Sequence, residues 1–463
     1  METILAIDLG GTSLCAALVG RGGDILASAV RTHSLGEEGD PDGWWAMLVE
    51  AVAELPAAEV RAIIPTGFSS SQVLVDRAGK AVRLAKCFPR HGATAEAEEL
   101  AAITRGTWLE MTPCHPLARL RWVQTHDPEA FARARHVLQP KDWLVLRLTG
   151  RTATDRVSNA WALERRGGLR ALSLFRRARI DAGLVPEMFE PWQVVGPCTG
   201  LEGLAGVPVL CGAMDSWCAS LGVGSGCLGD AYLISGTYDA GGVLTDVPLE
   251  AEGLATQPWG SGLFHTGGWS GGGVDCLQWL AGLLGEPDAA AVVALAGAAD
   301  PDLPPLLFLP GLSGEGAPGW SAATRAGFAG LHRAHGPAEL ARSVLEGVAF
   351  ADRDLLGGLP FERLLIGGSF AQVDSWCQIR ADVLGCPVIR AGTETPGLTG
   401  AALAGWTGLG VYPTLGAAQS ALAEPARTFQ PDPAMARRYQ RLFAVHKQMQ
   451  AASRMLSEGF VGL

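Results

Sequence analysis

The chain has 463 residues, of which 48% are apolar and 18% charged, with 61 Gly and 28 Pro. This is globular composition with core enough for two or three domains, and it excludes a disordered chain. The 47 Asp and Glu against 36 Lys and Arg give a net charge of −11, which argues against a general nucleic-acid or membrane-surface binder. Ten dispersed cysteines without a CxxC pair fit a reduced intracellular protein, with no zinc-site spacing and no disulfide framework.

The first twelve residues read as a buried strand running into Gly10-Gly11-Thr12-Ser13, with Asp8 near its end. That early carboxylate breaks the apolar run, so no secretory leader is expected, and the longest small-residue apolar run, 289–299, is far short of a membrane span. A cytoplasmic protein follows. Strand character resumes over 14–19 and, after a turn at 22–24, over 25–27, which makes a β-meander. Helical patterns are expected at 41–55 and 94–103 with a strand at 60–65 between them. Further helices are expected at 119–126, 128–135 and 143–148, ahead of a polar turn at 149–155.

Near residue 207 the pattern repeats in kind. Strand 207–211 ends in Gly212-Ala213-Met214-Asp215, and strand 230–237 runs into Ser235-Gly236-Thr237 with a return at 241–244. Two hairpins of one design, strand, Gly-Thr turn, strand, suggest an internal duplication, and the domains are placed at 1–247 and 248–463. The second half shows helices at 274–284 and 337–355, a strand at 363–366 ending in Gly367-Gly368-Ser369, and an amphipathic helix at 433–456.

Four of these places carry chemistry. N–H groups of a Gly turn approach phosphate oxygens closely, Thr12 and Ser13 add hydroxyls, and Asp8 suits Mg²⁺; the same residues also make an ordinary hairpin. Asp215 is either a helix N-cap or, ahead of the second Gly-Thr hairpin, a general base beside a transferred phosphate. Gly271-Gly272-Gly273 before the helix holding Gln278, and Gly367-Gly368-Ser369, are helix starts suited to an anion or nucleotide, with loop glycine as the plainer reading.

In this order the motifs resemble the FGGY family of carbohydrate kinases, within the actin-like, sugar-kinase and Hsp70 superfamily, over nearly the whole chain. Asp8-Leu9-Gly10-Gly11-Thr12-Ser13 looks like the first phosphate motif. Gly212-Ala213-Met214-Asp215 is similar to Gly-x-x-Asp, whose Asp is the catalytic base, and Ser235-Gly236-Thr237 to the second phosphate motif. His115 to Trp122, Pro140-Lys141-Asp142-Trp143-Leu144, Thr154-Asp155 and Ser158-Asn159-Ala160 resemble xylulokinase-like members, and Leu309 to Glu315 resembles the second-domain signature.

The resemblance implies an α/β fold of two actin-like, ribonuclease H-like domains around a central cleft, and an ATP-dependent kinase acting on a small sugar or polyol. A pentulose such as xylulose is the default substrate. Asp215 would be the base and Asp8 the Mg²⁺ residue. Gly11, Thr12, Ser13, Gly236 and Thr237 would hold phosphates, and Gly272, Gly273, Gln278, Gly368 and Ser369 the nucleotide. Ser70, Ser71, Gln72 and Arg90 would touch substrate. A homodimer is left open.

Three departures stand out. Cys15 occupies the usual Lys or Arg position. Ser69-Ser70-Ser71-Gln72 replaces Gln-Met-His, and Phe88-Pro89-Arg90-His91-Gly92 replaces Trp-x-Asp-x-Arg. Arg90 either favours an acidic or phosphorylated group or is a solvated surface residue. These departures motivate the alternative of a non-catalytic sugar- or nucleotide-binding regulator on the same fold. A DNA-binding repressor is disfavoured by the acidic charge and by the direct start at the first strand. Only four lysines, Lys80, Lys86, Lys141 and Lys447, occur in the chain, and no Lys or Arg lies in the phosphate loops. ATP must then be neutralised by Mg²⁺ and N–H dipoles, so strict dependence on a divalent metal is expected.

Overall fold

The computed structural model describes residues 1–34, 38–87, 93–103, 108, 111–164, 171–321, 323–422 and 426–459. The chain divides into two compact units. The first comprises Met1–Gly226, Gln257–Phe264 and Thr395–Ala423; the second comprises Cys227–Thr256, His265–Glu394 and Glu424–Leu463. The first break therefore falls before the 247/248 boundary expected from sequence, and the second Gly-Thr hairpin belongs to the second unit. That hairpin pairs in parallel with the distant strand Leu364–Gly367, a long-range partner that local pattern does not reveal.

The first unit holds a six-stranded sheet in the order Val194–Pro197, Pro208–Leu210, Glu59–Gly67, Glu2–Leu9, Ser13–Val19 and Ile25–Thr32. Glu2–Leu9 runs antiparallel to Ser13–Val19 and parallel to Glu59–Gly67. The seven-stranded sheet of the second unit repeats this plan. Ala231–Ile234 has its antiparallel return Ala240–Thr245 on one side and parallel Leu364–Gly367 and Val388–Arg390 on the other. In both sheets an antiparallel strand, Val194–Pro197 or Arg427–Phe429, closes the parallel side. The duplication suggested by the two hairpins is thus a duplication of whole sheets.

Glu2–Leu9 is buried along nearly its full length, as a strand covered on both faces must be. Helix Pro41–Glu54 packs beside the meander. Asp40 caps it by accepting from the Asp42 N–H, and Pro41 sits at the start, where a missing N–H costs nothing. Trp44 and Leu48 are buried in the core it covers, and Trp44 meets Phe68 edge-on at 5.6 Å. Helix Pro396–Gly408, absent from the sequence expectation, packs on strands Glu2–Leu9 and Glu59–Gly67 and on helix Asp215–Gly222. The two helices touch backbone to backbone: a Cβ on Gly400 would lie 1.8 Å from the Cys218 carbonyl oxygen. Four glycines within Pro396–Gly408 make the segment read as a loop, yet the crossing requires small residues.

The other expected helices form with small shifts at their ends: Pro116–His126, Pro128–Arg133, Pro140–Thr149, Val274–Leu284, Pro337–Leu356 and Pro433–Glu458. The expected 94–103 helix tightens after Leu100 into a 3₁₀ turn, Ala101–Ile103. Leu172–Ala178, Ala289–Ala296 and Leu415–Gln419 are additional short helices. Among the described residues no single helix is long and apolar enough to cross a membrane.

Candidate active site

The expected site residues fall on both units, and each group is built within its own. In the first unit the meander turn is closed by the Gly10 N–H donating to the Ser13 carbonyl at 2.8 Å. His33, which the sequence did not single out, braces it from the third strand side. Its N–H donates to the Thr12 carbonyl at 2.8 Å, and its Nε2 lies 3.0 Å from the Gly10 carbonyl oxygen. Gly11 and Thr12 are left exposed and Ser13 half-buried, so N–H groups and hydroxyls are presented on a rigid turn.

Asp8 stands across the ladder from Cys15 on one side and Thr66 on the other. Its Oδ1 is buried with no hydrogen-bond partner. Asp215 arrives at the same end of the sheet from two strands away, on the loop after the parallel strand Pro208–Leu210. That loop needs Gly212: its φ is +69°, and a Cβ would sit 1.7 Å from the Pro65 carbonyl oxygen. Met214 then bridges to Gly67, which sets Asp215 at the first position of helix Asp215–Gly222. Asp215 is not the cap, a place taken by Met214; its Oδ1 accepts from the Ser216 N–H at 2.7 Å.

Burial pushes Asp8 from 3.8 up to about 7, with the negative charge of Asp215 adding to the rise. Burial likewise lifts Asp215 to about 6, against the opposing N–H of Ser216. No Lys or Arg contributes to either shift. Cys15, where the resemblance implies Lys or Arg, supplies no cation: burial and the Asp8 charge hold its thiol protonated, pushed up to about 11.

Two neighbouring carboxylates, one oxygen orphaned and, among the described residues, no Lys or Arg acting on either, fit a divalent ion. Among the described residues no three His, Cys, Asp or Glu converge as a closed metal cage. The residues present therefore suit Mg²⁺, which keeps most positions for water and phosphate oxygens. The carboxylate pair has a cost that can be measured without metal. A folded-state pKa raised above the unfolded value contributes a penalty that is absent below pH ~4, grows as pH rises and is complete above the folded pKa. Asp8→Asn should therefore raise the metal-free melting temperature at pH 8 by about 2–4 °C, taking roughly 1 kcal/mol for the relieved charge. At pH 4 the same substitution should change nothing in a thermal scan.

On the expected substrate side, Ser70 adopts φ +57° and its carbonyl accepts from the buried Arg119 guanidinium. Gln72 is buried and donates its amide to the Pro116 carbonyl at 2.8 Å, and Ser71 is buried beside it. These contacts tie Ser70–Gln72 to helix Pro116–His126. Arg90 and its 88–92 loop lie outside the described residues.

In the second unit three loops interlock. The Val274 and Asp275 N–H groups donate to the Gly236 and Thr237 carbonyls at 3.0 and 3.3 Å, and the Asp239 N–H donates to the Gly272 carbonyl at 3.0 Å. The first turn of helix Val274–Leu284 thus spends its N–H groups on the Gly-Thr turn rather than presenting them to an anion, and it also carries Asp275. Gly368 closes the third side: its φ is +102°, and a Cβ would lie 2.3 Å from the Ser235 carbonyl oxygen. Ser369 begins a 3₁₀ turn that precedes helix Asp374–Leu384. Thr237 and Ser369 are exposed, while Gly272 and Gly273 are buried.

Beneath these loops lies Arg380, fully buried. It bonds Asp239, Ser235 Oγ at 3.0 Å and Asp352 at 2.9 Å, and packs over Trp376. Nothing local marks it except its place on the apolar face of its helix. Beside the loops a pocket of about 500 Å³ is lined by Gln278, Ala281, Glu286, Asp288, Ala289 and Phe370 among others. A hollow of about 340 Å³ in the first unit, near Asp76, Arg135 and Thr152, contains none of the expected site residues.

The N-terminal domain of the FGGY family of carbohydrate kinases matches residues 3–222, and its C-terminal domain matches residues 231–409. The chain belongs to this family. The xylulose kinase of Escherichia coli (strain K12) is 30% identical over 422 residues, 82% of this chain and 84% of the relative. A glycerol kinase of Allorhizobium ampelinum is 28% identical over 92% of this chain and 94% of the relative. The crystal structure of xylulose kinase from Rhodospirillum rubrum superposes with a TM-score of 0.87 at 27% identity, covering 98% of this chain and 100% of that one. The molecule is an ATP-dependent sugar kinase built from two actin-like domains, as the motif order implied. A small-molecule sugar is its substrate.

Proposed function

We propose that this kinase transfers the γ-phosphate of ATP to a hydroxyl of a pentulose such as xylulose, with Asp215 as general base and Mg²⁺ at Asp8. The observation that carries the reading is the carboxylate pair: two acids on one sheet end, raised to about 7 and about 6, with no Lys or Arg among the described residues acting on them. Perturbed acids next to a phosphate-binding turn are the arrangement phosphoryl transfer needs. The xylulose kinases among the relatives support the choice of a pentulose.

Asp215 accepts the proton of the attacking hydroxyl as its oxygen bonds to the γ-phosphorus and ADP departs. Thr12 and Ser13, with the N–H groups of Gly11 and its neighbours, orient the phosphate on the first unit. Gly236 and Thr237 do so on the second. The pocket beside Gln278 takes the base, with Phe370 and the alanines on its apolar side and the Gln278 amide at its rim. Gly272, Gly273 and Gly368 shape the loops, and Ser369 presents its hydroxyl. Mg²⁺, when bound, supplies charge neutralisation for phosphate oxygens that no Lys or Arg of these loops provides.

Two measurements test this. A panel of pentuloses, hexuloses, polyols and sugar acids with ATP should show its highest kcat/KM on a pentulose, and a hexulose or polyol in first place would reassign the substrate. Mg²⁺ alone should raise the melting temperature at pH 8 and lose this effect in Asp8→Asn; an equal shift in both proteins would remove Asp8 from the metal site.

A further inference from the structure

Helix Pro140–Thr149 carries in its first turn a lysine buried from solvent. Lys141 is 1% exposed, and Asp142 and Asp155 beside it are fully buried. Its Nζ donates to Asp142 Oδ1 at 2.5 Å and to the Cys211 carbonyl at 3.2 Å. It lies 2.9 Å from Asp155 Oδ2, a charge contact outside hydrogen-bond geometry. Such a cluster is expensive to bury and seldom outdoes apolar packing in stability, so what it holds matters more than what it contributes.

What it holds is the loop that carries Asp215. Cys211, whose carbonyl Lys141 grips, opens that loop. Asp155 Oδ1 accepts from the N–H groups of Val157 and Ser158 at 2.9 and 2.7 Å. Ser158 Oγ in turn accepts from the Met214 N–H at 2.9 Å, one residue before Asp215. The cluster therefore meets the loop at both ends, at Cys211 through Lys141 and at Met214 through Asp155 and Ser158. Asp142 is locked in place by the Gln139 N–H at 2.9 Å and Thr154 Oγ1 at 2.6 Å. Both oxygens of Asp142 are thereby engaged.

We propose that Lys141, Asp155 and Ser158 form a positioning brace that fixes the Asp215 carboxylate for proton abstraction. This inference rests on Asp215 being the general base. Ser158 is the link whose loss disturbs least, because removing its hydroxyl leaves no charge unpaired, whereas Lys141→Met would strand two buried carboxylates.

In the full-length kinase, Ser158→Ala should lower kcat by roughly 10- to 100-fold, the usual consequence of misplacing a reacting group by an ångström or less. KM for ATP and sugar should stay within about two-fold. Ser158→Thr, which keeps the acceptor oxygen, should recover most of kcat; Ser158→Val, of the same shape without it, should not. In an Asp215→Asn background Ser158→Ala should cost nothing further, since the brace then has no base to place. Full kcat in both Ser158→Ala and Ser158→Val, with Asp215→Asn inactive, overturns the brace and leaves the base intact. A rise in KM at unchanged kcat overturns it in favour of a substrate contact. An active Asp215→Asn overturns the base itself, and the brace with it.

Discussion

Asp215→Asn is expected to lower kcat by roughly 100- to 10,000-fold, the range a positioned general base supplies. Asn keeps the size of the side chain and an oxygen to accept the Ser216 N–H, so the helix start at Met214 should survive. KM for ATP should remain within about two-fold, because the pocket proposed to take the base lies on the second unit and Asp215 is not among the residues proposed to hold ATP. The pH profile separates this role from a structural one. Asp215 must be ionised to accept a proton, and burial holds it at about 6, so kcat/KM of the parent should fall as pH drops through this region rather than near 4. Bound Mg²⁺ favours both carboxylates in their charged forms, so the acid limb should move to lower pH as metal concentration rises. A limb that stays in Asp215→Asn, or one that ignores Mg²⁺, would assign the titration elsewhere.

Arg380→Met should destabilise the kinase by about 3–5 kcal/mol, the cost of leaving buried acids without their cation. Arg380, Asp239 and Asp352 are all fully buried, and one guanidinium faces two carboxyls. Burial and the charge of Asp239 push Asp352 well above the usual carboxylate range. One guanidinium neutralises one carboxyl, and the direction of the Asp352 shift favours an ion pair beside a neutral acid. Asp352→Asn preserves this charge state and should shift the urea midpoint little, whereas Arg380→Met should shift it strongly. Equal losses in the two variants would mean that both acids are ionised. Because Arg380 also donates to Ser235 Oγ, Arg380→Met should raise KM for ATP in the protein that remains folded.

Those two residues mark the line between what the amino-acid order reveals and what it hides. Asp8, the Gly-Thr turns and Asp215 are legible because each motif is complete within a few residues and their order along the chain is distinctive. Arg380 and Asp239 are 141 positions apart, and Lys141 and Cys211 are 70 apart. No local pattern announces either contact. His33 was missed for the same reason: its partners Gly10 and Thr12 lie across the meander. Helix Pro396–Gly408 was missed for another. Its glycines suppress the helical signal, and only the tight crossing with Asp215–Gly222 explains them. The division into units is as hard to read locally, since residues 257–264 and 395–423 return to a unit that the chain leaves at residue 226.

That return has a consequence for how the polypeptide is made. A ribosome delivers Met1–Gly226 long before Pro396–Gly408, yet Leu398, Ala401, Leu403 and Trp406 of that helix complete the same core. The first unit therefore lacks the helix that packs on its strands Glu2–Leu9 and Glu59–Gly67 until residues 396–408 have been made. A gene cut near codon 226 would encode neither unit whole, so recombination between relatives at that seam would exchange parts that do not fit.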